Sequence, residues 1–201
     1  EEDLEGIVQL ARKVEKLGRQ VYPKTNALRI TVSVSTFVPK AHTPYQWHRQ
    51  ISVEETREKQ RYLQENLRSK VIELNWHDPV LSRMEGIFAR GDRRLGEVIY
   101  KAWQKGAGFD SWADEFKYEC WNEAFAEVGI DPDFYLRERP YDEILPWDHL
   151  DSGVSREFLK EENERAKRGI LTADCRDNPC TRCGVCFNLG VGPRLVGDGR
   201  G

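Results

Sequence analysis

The chain has 201 residues, 39% hydrophobic and 32% charged, with 34 acidic against 31 basic side chains and a formal net charge of -3. That composition excludes disorder as the default and gives no electrostatic case for nonspecific nucleic-acid or membrane binding, while leaving room for local basic patches. No apolar run approaches the roughly 20 residues of a membrane-spanning helix, and EEDLEGIVQLARK has no basic or apolar leader, so a cytoplasmic protein of one large or two small domains is expected.

Leu4, Ile7, Val8, Ala11, Val14 and Leu17 recur at helical spacing and predict a helix over 4–17, stopped by Gly18. The absence of an initiator methionine and a start in mid-pattern read as a cut chain. A strand is expected from Leu28 to Val38, carried by β-branched Ile30, Thr31, Val32 and Val34. Pro39, Thr43 and Pro44 then force PKAHTPYQW into a loop leaving that strand. Ser52 and Glu55 form a capping box for a helix bearing Val53, Thr56, Gln60, Leu63 and Leu67. KVIELNWH alternates as a short strand, and Asp78-Pro79 starts a helix reaching about Arg90.

Two helix-strand pairs thus precede a purely helical stretch. Helices are expected over about 94–105 and 112–128, each ended by a glycine, Gly106 and Gly129. Asp131-Pro132 opens a connector rich in proline and aromatic residues, and Ser155 caps a charged helix over 156–167. The segment after Cys186, with five glycines, reads as a mobile tail or the start of a linker.

Four of the five cysteines fall within twelve residues, spaced C-x4-C-x2-C-x2-C as Cys175, Cys180, Cys183 and Cys186. Crowded thiols in a cytoplasmic chain point to metal, not to a disulfide framework. Pro179 and Gly184 supply tight turns, whose backbone N–H groups can stabilise the negative charge of coordinated sulfur. Structural zinc commonly uses two separated C-x2-C knuckles, whereas the unbroken run resembles cluster-binding loops, so an iron–sulfur cluster is placed ahead of zinc.

Other side chains carry weaker signals. His42, His48, His77 and His149 lack ligand spacing and are expected as surface or hydrogen-bonding residues. Cys120 is expected in the core, Asp92 as a helix cap before solvated Arg93 and Arg94, and Trp47, Trp76, Trp103, Trp112, Trp121 and Trp147 as packing residues.

VSVSTFVPKAHTPYQW, residues 32–47, resembles the last strand of the partial barrel in radical S-adenosylmethionine (SAM) enzymes and the Thr-Pro loop that follows it. HDPVLSRMEGIFARGDRRLG, GFDSWADEFKYECWNEAF and DCRDNPCTRCGVC are similar, in that order, to the C-terminal half of a largely uncharacterised subgroup with an N-terminal cobalamin-binding-like domain. The resemblance covers about residues 1–190. It implies an α/β chain: the end of a partial (β/α) radical SAM barrel over 1–91, a mainly helical extension over 92–170, a four-cysteine metal-binding segment over 171–190 and a flexible tail over 191–201. It further implies that Val34, Ser35, Thr36 and Phe37 lie nearest SAM, through backbone contacts more than side chains.

The C-x3-C-x2-C triad that defines the family and holds the SAM-cleaving cluster does not occur in this sequence. The chain alone is therefore not expected to generate a 5'-deoxyadenosyl radical, and SAM belongs to the full-length protein. The expected partners are the missing radical SAM and cobalamin-binding-like domains and a possible domain after the glycine-rich tail. The terminal cysteines would carry an auxiliary cluster, most simply 4Fe-4S. The alternative is a non-catalytic zinc knuckle that docks protein or RNA. An independent ferredoxin-like carrier is disfavoured by about 170 residues of α/β and helical structure ahead of the ligands.

Overall fold

The computed structural model of the chain describes residues 2–23, 28–110, 112 and 114–192. They fall into two compact units, Glu1–Val38 with Gln50–Gly86, and Pro39–Arg49 with Ile87–Gly201. The loop that follows the first strand thus clusters with the second unit.

The first unit is α/β. Helix α1, Glu2–Val21, opens with Glu2, Asp3 and Glu5 in its first turn, where the helix dipole favours negative charge. It runs past Gly18, contrary to the expected stop. The reason is packing: a Cβ at Gly18 would stand 2.8 Å from Leu28 Cδ1, so the glycine admits a close neighbour inside the helix. Strand β1, Ile30–Val34, is shorter than expected because it pairs only along strand β2, Ile72–Trp76, in parallel register from Ile30↔Ile72 to Val34↔Trp76. The parallel connection is made through helix α2, Val53–Asn66. Its capping box is present: Glu55 N donates to Ser52 Oγ at 3.1 Å, and Ser52 N donates to Glu55 Oε2 at 2.7 Å.

The sheet has two unlike faces. Val32, Val34, Ile72 and Leu74 pack on Val8, Ala11, Leu63 and Leu67 from α1, α2 and the end of α2. The opposite face carries Thr31, Ser33, Glu73 and Asn75, all exposed. Helix α3, Pro79–Arg90, starts where Asp78 Oδ1 accepts from Val80 N at 2.7 Å and Leu81 N at 3.2 Å.

The second unit is helical. Helices α4, Leu95–Gln104, and α5, Tyr118–Val128, pack through Val98, Ala102, Ala124 and Phe125, with Lys101 and Lys105 paired to Glu127 and Glu123 outside. Helix α5 begins six residues later than expected. Phe109 adopts a left-handed conformation (φ 60°), and turns through Trp112 occupy the interval. Gly106 and Gly129 terminate their helices in the left-handed region, as expected.

The connector, expected as irregular, contains one helical turn, α6, Asp133–Leu136. Helix α7, Arg156–Lys167, is capped by Ser155 Oγ, which accepts from Phe158 N at 3.2 Å. Trp47, Leu145, Trp147 and Leu159 form the core beside it. Of the tryptophans, Trp47, Trp121 and Trp147 are buried, whereas Trp76, Trp103 and Trp112 are exposed, Trp103 stacking on Tyr100 and Trp112 meeting Phe109 edge-on. A last short helix, α8, is Val185–Leu189. No helix among the described residues is long and apolar enough to cross a membrane.

Candidate metal centre

The four cysteines sit on a segment that is tied down on both sides of Cys186. Ser155 N donates to the Cys183 carbonyl at 2.8 Å, and Asn188 Nδ2 donates to the Gly153 carbonyl at 3.0 Å. Two glycines make this docking possible. A Cβ on Gly153 (φ 81°) would meet Leu189 Cδ1 at 2.9 Å, and one on Gly184 (φ 97°) would meet the Gly153 carbonyl at 3.0 Å. Residues 187–189 therefore belong to an anchored helix, not to the expected mobile tail; residues 193–201 of that tail lie outside the described residues.

The chain bends twice between the ligand candidates. Asp174 Oδ1 accepts from Arg176 N at 2.9 Å, and Asn178 Nδ2 donates to the Asp174 carbonyl at 2.9 Å, which turns the chain between Cys175 and Cys180. The Arg176 guanidinium grips the same carboxylate and holds its pKa down at about 2. Between Cys180 and Cys183, Arg182 takes φ 59°, and its backbone N–H donates to Cys180 Sγ at 3.4 Å. An amide directed at a sulfur stabilises thiolate charge, the role expected of backbone N–H groups at such turns.

Cys175, Cys180, Cys183 and Cys186 all carry free thiols, and all four line one cavity of about 420 Å³ together with Thr181, Arg182, Gly184 and Phe187. Among the described residues, no three His, Cys, Asp or Glu side chains are gathered closely enough for a single metal ion. One zinc would draw four sulfurs to about 2.3 Å from a common centre. Four thiolates can hold either a single zinc or a polynuclear cluster in which each metal atom takes its own thiolate. The donor set is all sulfur, the preference of soft iron–sulfur and zinc centres alike.

The other candidates lie elsewhere. Val34 ends β1 and packs into the first unit's core, Ser35 and Phe37 are exposed, and Thr36 is half-buried. His48 Nε2 lies 2.7 Å from Asn163 Nδ2, while His42 and His149 line a separate cleft. Cys120 is half-buried instead of core, and its thiol donates to the Lys105 carbonyl at 3.3 Å. Asp92 does not cap α4. It accepts from Arg94 N at 3.0 Å, pairs with the Arg94 guanidinium at 2.7 Å and accepts from Tyr135 Oη–H at 3.2 Å, so Arg94 is paired and not merely solvated.

No protein-family model, no curated protein and no solved structure matches this chain.

Proposed function

We propose that this chain is the C-terminal part of a cytoplasmic radical SAM enzyme and that its four terminal cysteines hold an auxiliary iron–sulfur cluster, most simply 4Fe-4S. The observation that carries the proposal is that Cys175, Cys180, Cys183 and Cys186 line one cavity, with a backbone amide directed at one sulfur. When bound, such a cluster supplies one-electron transfer or a site that anchors substrate. The chain's own contribution is to hold the thiolates on an anchored segment and to keep Asp174 engaged with Arg176, away from the sulfurs' charge balance.

The barrel reading is supported by the sheet. Parallel strands are ordinarily covered on both faces, yet Thr31, Ser33, Glu73 and Asn75 present a polar face opposite the helices. A barrel wall has that character where its lumen holds a polar cofactor and substrate, and the loop start at Val34–Phe37 then lies along SAM in the complete enzyme. Radical initiation belongs to the C-x3-C-x2-C cluster, which would come from the radical SAM domain expected upstream, alongside a cobalamin-binding-like domain.

Electron paramagnetic resonance of the anaerobically purified chain, before and after dithionite, tests the cluster. A signal that appears on reduction and vanishes in Cys180→Ser supports the reading. A chain silent in both states that holds one zinc makes the segment a docking knuckle instead.

A further inference from the structure

The stretch between α4 and α5 is a loop closed at its base. It leaves the helix at Gly106, whose amide donates to the Trp103 carbonyl at 2.9 Å, and it returns at Lys117, whose Nζ donates to the Gly106 carbonyl at 2.9 Å. A surface loop with its ends pinned together keeps its place, and such loops commonly carry binding residues. This one leaves large aromatic side chains in water: Phe109 is 77% exposed and Trp112 is 62% exposed. Rings of this size gain most when packed, so two of them exposed on one short loop mark an interaction surface more than a requirement of the fold. The backbone adds a cost of its own, because Phe109 holds φ 60°, a left-handed conformation that favours glycine.

The charges of the loop narrow the partner. Between Gly106 and Lys117 the chain carries Asp110, Asp114 and Glu115 against one cation, Lys117, and that ammonium is bound at the base of the loop. Lys101 and Lys105, at the end of α4, are paired with Glu127 and with Glu123 and Glu127 of α5. Asp114 and Glu115 are exposed, and Asp110 Oδ1 is buried with no hydrogen-bond partner. Carboxylates set among rings repel the phosphates of nucleic acid and of an anionic bilayer. They attract a cation, as does the face of an aromatic ring. Phe109 and Trp112 meet edge to face, with centroids 6.0 Å apart and planes at 69°, an arrangement that leaves ring faces open. A guanidinium uses both features at once, since it stacks flat on a ring and directs a fork of N–H groups at a carboxylate.

We propose that the loop over 106–117 is an interaction surface for a protein partner that presents arginine side chains, with Phe109 and Trp112 stacking on guanidinium groups and Asp114 and Glu115 pairing with them. Arginine binding here is independent of what the cysteines hold.

Trp112 reports on this surface through its indole N–H. In 15N–1H spectra of the full chain, with the Trp112 indole resonance identified by its loss in Trp112→Phe, blocked tetra-arginine is expected to give a saturable shift that weakens as salt is added. Blocked tetralysine should bind more weakly, because an ammonium does not stack as a planar guanidinium does, and equal binding would contradict the choice of arginine. Phe109→Gly keeps the left-handed backbone at no steric cost and removes one ring, so it should bind tetra-arginine about tenfold more weakly. Asp114→Asn with Glu115→Gln should weaken binding severalfold and flatten its salt dependence. The absence of a saturable shift with tetra-arginine overturns the proposal. Unchanged affinity in the charge-neutralised variant does the same, and that surface change decides the matter even where Phe109→Gly does not fold. A Trp112 shift that follows protein concentration alone would make the occupant a second copy of the chain, and tighter saturation by oligouridylate would make it RNA; either result also overturns it.

Discussion

At the scale of single residues, the side chains that hold the chain together are charged ones that sequence patterns do not mark. Arg90 is fully buried and donates to three carbonyls, those of Tyr135 at 2.8 Å, His48 at 2.5 Å and Arg137 at 2.8 Å. Burial, with Arg139 and Arg137 nearby, pushes its pKa down to about 10, so it stays charged at neutral pH. Arg90→Met should cost roughly 3–5 kcal/mol, measured by urea denaturation, because three buried acceptors lose their donors. Arg90→Lys should recover little of this, since an ammonium cannot reproduce the planar fork. Glu15 plays the matching part in the first unit. Ser69, Arg19 and Arg12 donate to its carboxylate and hold its pKa at about 2. A depressed carboxylate stabilises the fold above its unfolded pKa and loses that contribution as the pH falls through the folded value. The first unit should therefore weaken between about pH 4.5 and pH 2, and Glu15→Gln should flatten that acid limb while costing roughly 1–3 kcal/mol at neutral pH. Arg90 was not legible in the sequence because its acceptors lie more than 40 positions away, whereas Glu15 has local partners in Arg12 and Arg19 and only its bond from Ser69 is distant.

At the scale of elements, the sequence was legible wherever a local rule decided the outcome. Ser52 with Glu55, Ser155, Asp78-Pro79, Gly106 and Gly129 all act where their chemistry places them. It misled where a glycine served packing instead of termination, as at Gly18 against Leu28, and where strand length was set by the partner strand. The anchoring of the cysteine segment belongs to the second kind, since Gly153 and Gly184 meet across a separation in sequence of about thirty residues. Gly184→Ala meets both a positive φ and the Gly153 carbonyl, so it should release the segment from the loop before α7. The expected result is a loss of metal per chain of severalfold by elemental analysis, with far-UV circular dichroism unchanged. A variant that loads metal like the parent would show that docking is not needed for the site.

At the scale of the whole molecule, each unit is built on its own core and neither core includes the cysteine segment. In chain order the last buried hydrophobic residue among those described is Leu159, ahead of all four ligand candidates. Cys180→Ser with Cys183→Ser should therefore abolish metal binding and leave helicity intact, in contrast to small metal domains that unfold without their ion. The α/β character of the first unit and the cysteine spacing were both readable from sequence. The polar face of the sheet became visible only once the register put Thr31 beside Glu73 and Ser33 beside Asn75. The measurement that tests the central claim most directly is iron, zinc and acid-labile sulfide analysis of the anaerobically purified chain. About four iron and four sulfide per chain, lost together in the double serine variant, is the predicted result. One zinc without sulfide, or iron and sulfide retained by that variant, would contradict it.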